Sequence, residues 1–600
     1  MKKIQLLFAV ALLAAAAAHA IPAKPGLFTV VQSDGTSLQV QQLGDERCHS
    51  LATADGLTIA QADDGDYYYH SATGITAVRA HDAAHRTAHE LEFLNLNAGR
   101  FTIQALVEHA QRSGAMRGPK AAGQHRAEDN QLQFTQVPTT GSPRVPILLV
   151  QYSDKKMSNT LADFEAQYKT NPKSVLQYFT DQSNGQYTPQ FDLYGIYDLS
   201  GTRYTYGRNV RGLDAGVARM TQEAIDKAGD DIDWSQYDND GDGQADVCIV
   251  VYAGVGEAQS HISNTVWPCQ WDFTNAKEYN DGIGPVDRNG VIIDKFAVFN
   301  EIGGDNDYST VLDGIGTFCH EFSHCMGLPD FYETTYKHGY FGMNVWSLMD
   351  KGCYNGGDID GDTPIGYSAY EKMAMGWITP ITPRNDTQYT LPVFNSLNPD
   401  NDVALKVTAM NENEFYMLEN RRRQGWDLYI PADGVLITHF TYLPDRWAGN
   451  TVNDSTVQLA TLVPADAMLN SYNVSDDTYG PKNQSLTASS TPSMTANMRA
   501  DGTLAAYSGG AGVVDKPITE ICLADDGVAT LWYCKGYPAD SLPGDVNGDG
   551  DVGIDDLNIL INIILDMDDA ANYDGRALIT GADSVSITDI NALINIILNQ

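Results

Sequence analysis

Between residues 21 and about 110 the chain alternates β-branched with polar residues, a period of two broken at turn signals such as Ser33-Asp34-Gly35 and Ala54-Asp55-Gly56. That pattern predicts a small β-rich unit followed by a helical stretch over 88–111. From Gly114 to about Arg144 the composition shifts to Gly, Pro, Ser and Thr, with Arg112, Arg117, Lys120 and Arg126 gathered there, as in an exposed linker open to cutting. Val145 to Tyr152 is a continuous apolar run, the signature of a buried strand. Ser174 to Phe179 opens a helix, Leu213 to Ala228 carries apolar residues at helical spacing, and Val247 to Ala253 is a second apolar run. Strand, helix and strand in that order predict an α/β core. Helical spacing returns over 314–327, where Gly327 and Pro329 stop it. Beyond Trp377 the pattern is β-like through Trp532, which predicts one or two β-sandwich-like units. The tail holds an internal repeat: Leu560-Ile561-Asn562-Ile563-Ile564-Leu565 recurs as Leu593-Ile594-Asn595-Ile596-Ile597-Leu598.

Length, charge and cysteines narrow this picture. Six hundred residues exceed one core, and with 43% hydrophobic and 10% aromatic residues the chain can fill several. A formal charge of -39 would repel nucleic-acid phosphates, so no nucleic-acid partner is expected. Met1-Lys2-Lys3, a short apolar run from Ile4 to Ala18 and the small-residue site Ala18-His19-Ala20 read as a secretory signal. The run is too short to span a bilayer, and no other segment comes close, so a secreted or extracellular protein is expected. Eight cysteines permit disulfides in such a protein. Cys522 and Cys534 flank the turn Ala524-Asp525-Asp526-Gly527, where a bridge would be easy.

The chemistry concentrates in His320-Glu321-Phe322-Ser323-His324. On a helix, positions i and i+4 share a face, so both imidazoles can reach one Zn2+ while Glu321 faces the attacking water. A hydrolytic zinc site needs a third protein ligand. Asp330 is the choice, three residues past Gly327, where the extended metzincin motif carries its third ligand; Glu333 and Glu371 are alternatives further along the chain. Met349, in Trp346-Ser347-Leu348-Met349-Asp350, stands where metzincins place a methionine turn, or is a buried core methionine. Tyr354 is a candidate donor to the oxyanion of the tetrahedral intermediate.

Two acidic segments read as Ca2+ loops. Asp238, Asp240 and Asp242 alternate ahead of Gly243, with Gln244 and Asp246 completing the front half of a loop that has no Glu at position twelve. Asp358-Ile359-Asp360-Gly361-Asp362 is a shorter relative. In the tail, Asp545, Asn547, Asp549 and Asp551 occupy positions one, three, five and seven, and Asp556 position twelve, just before the repeat helix. In the second copy Leu578 and Thr580 fall where Asp545 and Asn547 would be, leaving Asp574 and Asp583 as its candidates.

Taken together, Val145 to Asp154, Asp233-Trp234 through Asp246, Ile262 to Trp271, the zinc motif, Gly366 to Pro380 and Leu418-Glu419-Asn420-Arg421 resemble the immune inhibitor A family of secreted bacterial metalloproteases over roughly 140–440. The resemblance implies a zinc endopeptidase acting on proteins, made as a zymogen and stabilised by calcium. The tail resembles a dockerin type I module, which implies a cohesin-like or cell-surface partner. The expected fold is a multidomain α+β chain: signal peptide 1–20, pro-segment 21–118, linker 119–143, an α/β zincin-type catalytic domain 144–400, a β-rich region 401–537, linker 538–544 and a small helical dockerin-like module 545–600. Cys48 is either a thiolate cap on the zinc of the zymogen or a plain buried cysteine. The alternative function is an exported binding or adhesion protein with an inactive protease-like core.

Overall fold

A computed structural model describes residues 21–113, 136–537 and 544–598, apart from 211–212, 215, 278–281, 470–472, 548–551, 566, 569–572, 574–576, 578 and 580–583. The expected signal segment and Arg117, Lys120 and Arg126 lie outside the described residues. The chain forms two compact units, one of residues 1–382 with 390–531 and the other of 383–389 with 532–600.

The two-residue period over 28–79 forms an antiparallel meander of six strands running from Phe28–Val31 to Gly74–Arg79. Its apolar face buries Leu38, Val40, Ile59, Tyr69 and Ala80 together with Phe101. The helical stretch that follows is two helices, Ala88–Leu96 and Ile103–Ser113, because Gly99 between them takes φ +76°, a conformation no helix holds.

The central sheet has the strand order Cys269–Asp272, Lys295–Ile302, Cys248–Val255, Arg144–Gln151, Gln190–Asp198. Four strands are parallel, and Cys269–Asp272 runs antiparallel at the edge. Ile147, Leu148, Leu149 and Val150 are all fully buried, which is why their stretch of sequence shows no alternation. The helix expected over 213–228 starts later, at Val217, because Leu213–Asp214 pairs instead with Asn209–Val210 and frees the Asp214 carboxylate for another partner.

The helix carrying the zinc motif spans Ile315–Cys325 and every residue in it is buried. Gly314 caps its start, and Gly327, at φ +102°, turns the chain back at its end.

Downstream, Leu405–Thr408, Glu414–Arg421, Gly434–Thr441 and Ala460–Leu462 form a four-stranded antiparallel sheet. Phe415, Met417, Leu436, Phe440 and Leu462 join the same core as Phe318, Phe322 and Met349. In the second unit, helices Ile554–Ile564 and Ile587–Leu598 pack around Val546, Leu560, Ala577 and Leu593, so the hexapeptide repeat is a helix pair. Among the described residues the cysteines form no disulfide. The expected bridge is absent: Cys522 is exposed and Cys534 is buried. Among the described residues no helix is long and apolar enough to cross a membrane.

Candidate metal centre

The helix sets His320 and His324 on one face, and the turn at Gly327 brings Asp330 back to them. Nε2 of His320 and of His324 lie 3.2 and 3.3 Å from Asp330 Oδ1, and 3.1 Å from each other. Nδ1 of each ring faces a backbone carbonyl at 2.7 Å, Leu348 O for His320 and Leu328 O for His324. A carbonyl can only accept, so Nδ1 carries the proton and Nε2 presents a lone pair. Two such lone pairs and a carboxylate oxygen meet at a site where His320 and Asp330 are at most 1% exposed. Oδ1 of Asp330 has no hydrogen-bond donor, an arrangement that repels itself without a cation. Tetrahedral zinc with bonds of about 2.1 Å holds its ligand atoms roughly 3.4 Å apart, so this donor set fits zinc in kind and spacing. The carbonyls that fix both ring tautomers supply the outer support such a site needs.

The third donor is itself clamped. Asn450 Nδ2 donates to Asp330 Oδ2 and the Asp330 N–H donates to Asn450 Oδ1, both at 2.6 Å. Asn450 follows the helix Pro444–Ala448 and is fully buried. Glu333 and Glu371 lie elsewhere. Glu333 accepts the N–H groups of Lys337, His338 and Tyr340, and Glu371 caps its own helix at Ser368 while accepting from Ser347 Oγ. Met349 is buried in the core, and its neighbour Leu348 is what holds His320.

Glu321, also fully buried, accepts Gln270 N–H at 3.0 Å from the edge strand and Ile21 N–H at 2.6 Å from the start of the N-terminal unit. Burial, then the like charges of Glu46 and Asp330, push its carboxyl well above the usual range. The first residues of the N-terminal unit therefore lie across the site as a bound peptide would. Trp267 Nε1 donates to Ile21 O at 3.3 Å and Tyr354 Oη donates to Pro22 O at 2.8 Å. Lys24 pairs with Asp360 at 2.5 Å, which gives the short acidic segment 358–362 a cationic partner. Glu46, buried and without a hydrogen-bond donor on either oxygen, has Arg47 Nε 3.6 Å from Oε1 and lies within electrostatic reach of Asp330. Cys48 is the plain buried cysteine of the two readings: it packs with Ile103, Leu106 and Val107, and burial pushes its thiol up to about 12.

In the loop at 238–246, oxygens of Asp238, Asp240 and Asp246 come within 4.8 Å of one another. Asp238 Oδ1 is buried without a donor, and burial raises Asp246 to about 7. Asp242 donates its N–H to Asp240 Oδ1 at 3.2 Å, and Gln244 donates both its backbone N–H and its Nε2 to the Asp242 carboxylate. In the tail, Asp549, Asp551, Asp574 and Asp583 lie outside the described residues. Asp545 is buried, and Asp556 accepts the N–H groups of Val546, Asn547 and Gly553. Asp589 takes the matching place in the second copy, accepting from Ser586.

Sequence reasoning missed Ile21, Glu46, Gln270 and Asn450. Trp267 and Gln270 fall inside the segment Ile262 to Trp271 that carries part of the family resemblance; nothing local marks Asn450 or Glu46.

Residues 149–378 match the family model for the immune inhibitor A peptidase M6 catalytic domain. Over 224 residues the chain is 26% identical to the pre-pro-metalloprotease PrtV of Vibrio cholerae, covering 34% of this chain and 23% of that protein. Over 284 residues it is 26% identical to immune inhibitor A of Bacillus thuringiensis subsp. alesti, covering 38% of this chain and 39% of the relative. The chain thus spans less than half the length of these curated relatives. The matched segment is homologous to metallopeptidases, and it contains His320, Glu321, His324 and Asp330.

Proposed function

We propose that this chain is a secreted zinc endopeptidase, held latent by residues 21–113 and stabilised by calcium in the loop 238–246. The observation that carries the reading is the meeting of three donor atoms at 3.1–3.3 Å beside a buried glutamate, with Ile21 and Pro22 lying across them.

A zinc ion held by His320, His324 and Asp330 would polarise the scissile carbonyl and acidify the attacking water. Glu321 takes the proton from the attacking water and returns it to the leaving amine. Tyr354, whose hydroxyl now holds the carbonyl of Pro22, donates in the same way to the substrate's oxyanion. Gln270 N–H keeps the Glu321 carboxylate oriented from the edge strand. Latency follows from occupancy, since Ile21 and Pro22 take the donors a substrate would use.

The helix pair at the C-terminus, with Asp545 and Asp556 in its first loop, is a calcium-folded dockerin-like module that attaches the enzyme to a cohesin-like or cell-surface partner. Casein zymography of the processed protein, with and without a chelator, tests the central claim. Clearing by wild type, lost on chelation and in Glu321→Ala, is expected. Equal clearing by all samples would remove the metal from the mechanism.

A further inference from the structure

Beside the metal centre, two carboxylates have a cationic visitor from the N-terminal unit. His49 Nε2 stands 3.2 Å from Glu257 Oε1, and both side chains are under 5% exposed. The imidazole stacks on the Trp267 indole with ring centroids 4.5 Å apart and planes 24° from parallel. Asp214 lies against the same pair: one of its oxygens accepts Trp267 N–H at 2.5 Å, and the other is buried with no donor at all. The remaining hydrogen bonds to Glu257 come from the neutral amide of Asn209, at 3.2 and 3.3 Å. Among the described residues His49 is therefore the one basic side chain paired with either acid. His49 Nδ1 is held by Asp45 O at 2.9 Å, so the ring can donate from Nε2 toward Glu257 only when doubly protonated.

The pocket is tied to the reaction centre through a single residue. Trp267 carries His49 on its ring face, and its indole N–H holds the carbonyl of Ile21, whose own N–H is on Glu321. When the N-terminal unit leaves, Glu257 and Asp214 lose His49 and remain beside an aromatic face, with only neutral partners among the described residues. A planar guanidinium suits that arrangement well, because it stacks on an indole and forks onto carboxylates.

We infer that Glu257, Asp214 and the Trp267 ring form a subsite for a basic side chain, arginine above all, of the peptide substrate, and that His49 fills it in the latent chain. The inference rests on the hydrolase reading above.

The test uses the full-length chain nicked by elastase within 114–143, the elastase then being inactivated with phenylmethylsulfonyl fluoride. Matched peptides carrying arginine, lysine, citrulline or norleucine at each of three positions on either side of the cut are compared by kcat/KM. Arginine should exceed its neutral isostere citrulline at one position by about thirtyfold or more, and Glu257→Gln or Asp214→Asn should collapse that ratio. No arginine preference in wild type, or a preference that survives both variants, overturns the subsite. A second measurement needs no turnover: the thermal midpoints of intact full-length wild type, His49→Leu, Glu257→Gln and the double variant. Non-additive midpoints support the cation pocket, and additive ones overturn it. Absence of any peptide cleavage would refute the hydrolase reading and leave the pocket to be judged by the thermal cycle alone.

Discussion

Replacing Asn450 by glycine should weaken metal binding without touching a ligand. Asn450 sits at φ +48°, where a Cβ is costly, so glycine keeps the backbone at ease and removes only the amide that grips Asp330. Two bonds of 2.6 Å are lost. The one to the ionised carboxylate is worth about 1.5–3 kcal/mol, and the buried Asp330 N–H is left without its acceptor. Freed of the clamp, Asp330 no longer waits in the position that brings Oδ1 to the two imidazoles. Outer supports of this kind typically govern about 10–100-fold in metal affinity, or roughly 1.4–2.7 kcal/mol, in line with the bond energies. The assay is zinc affinity by competition with a chromophoric chelator, with kcat/KM on casein measured in parallel at saturating zinc. A dissociation constant within twofold of wild type would refute the idea that Asn450 positions the third donor.

Further outcomes follow from the same geometry. Glu321→Gln should keep one zinc per chain by metal analysis while losing about 100–10,000-fold in turnover; loss of the metal instead would show a structural role. Cys48→Ala should leave the unprocessed chain as silent as wild type, because the thiol is buried among Ile103, Leu106 and Val107, and spontaneous activity would restore the thiolate cap. For His49, burial alone would lower its pKa, but Glu257 and Asp214 outweigh burial and raise it to about 9 from 6.5. Its contribution is thus fully present below about pH 6.5 and lost as pH rises through 9, at most about 3 kcal/mol. The thermal midpoint of the intact chain should fall over that window more steeply in wild type than in His49→Gln; equal slopes would contradict it. Withdrawal of calcium at saturating zinc should lower the midpoint of wild type by several degrees, and Asp238→Asn should abolish most of that response, which unchanged sensitivity to calcium would disprove.

The features legible in the sequence are those whose parts lie within one turn or one strand. His320, Glu321, His324 and Asp330 span eleven positions of a helix and its terminal bend, so their convergence follows from helical period and one left-handed glycine. The same holds for Asp238, Asp240 and Asp246 in their loop. Val145 to Tyr152 and Val247 to Ala253 announced their strands because both faces are covered. What could not be read are contacts closed by the fold over long distances. Asn450 lies 120 residues from Asp330, and Ile21 lies 300 from Glu321. Neither has a residue type that marks its role. The helix start at Val217 was misplaced because the apolar period ran on into Leu213, while tertiary pairing drew Leu213–Asp214 into a strand.

The clamp on Asp330 also sets a lower limit on how small a working excised fragment can be. A recombinant piece cut where the family match stops, at 378, would keep the full metal-binding motif yet lack the amide at 450 and the sheet that carries it. Such a piece would expose Phe331 and Tyr370, which now pack edge-on and stacked, respectively, against Phe440, so it would be both sticky and poor at holding its ion. The shortest useful expression product therefore extends past Leu462, and boundaries drawn from similarity alone would discard the amide that holds Asp330.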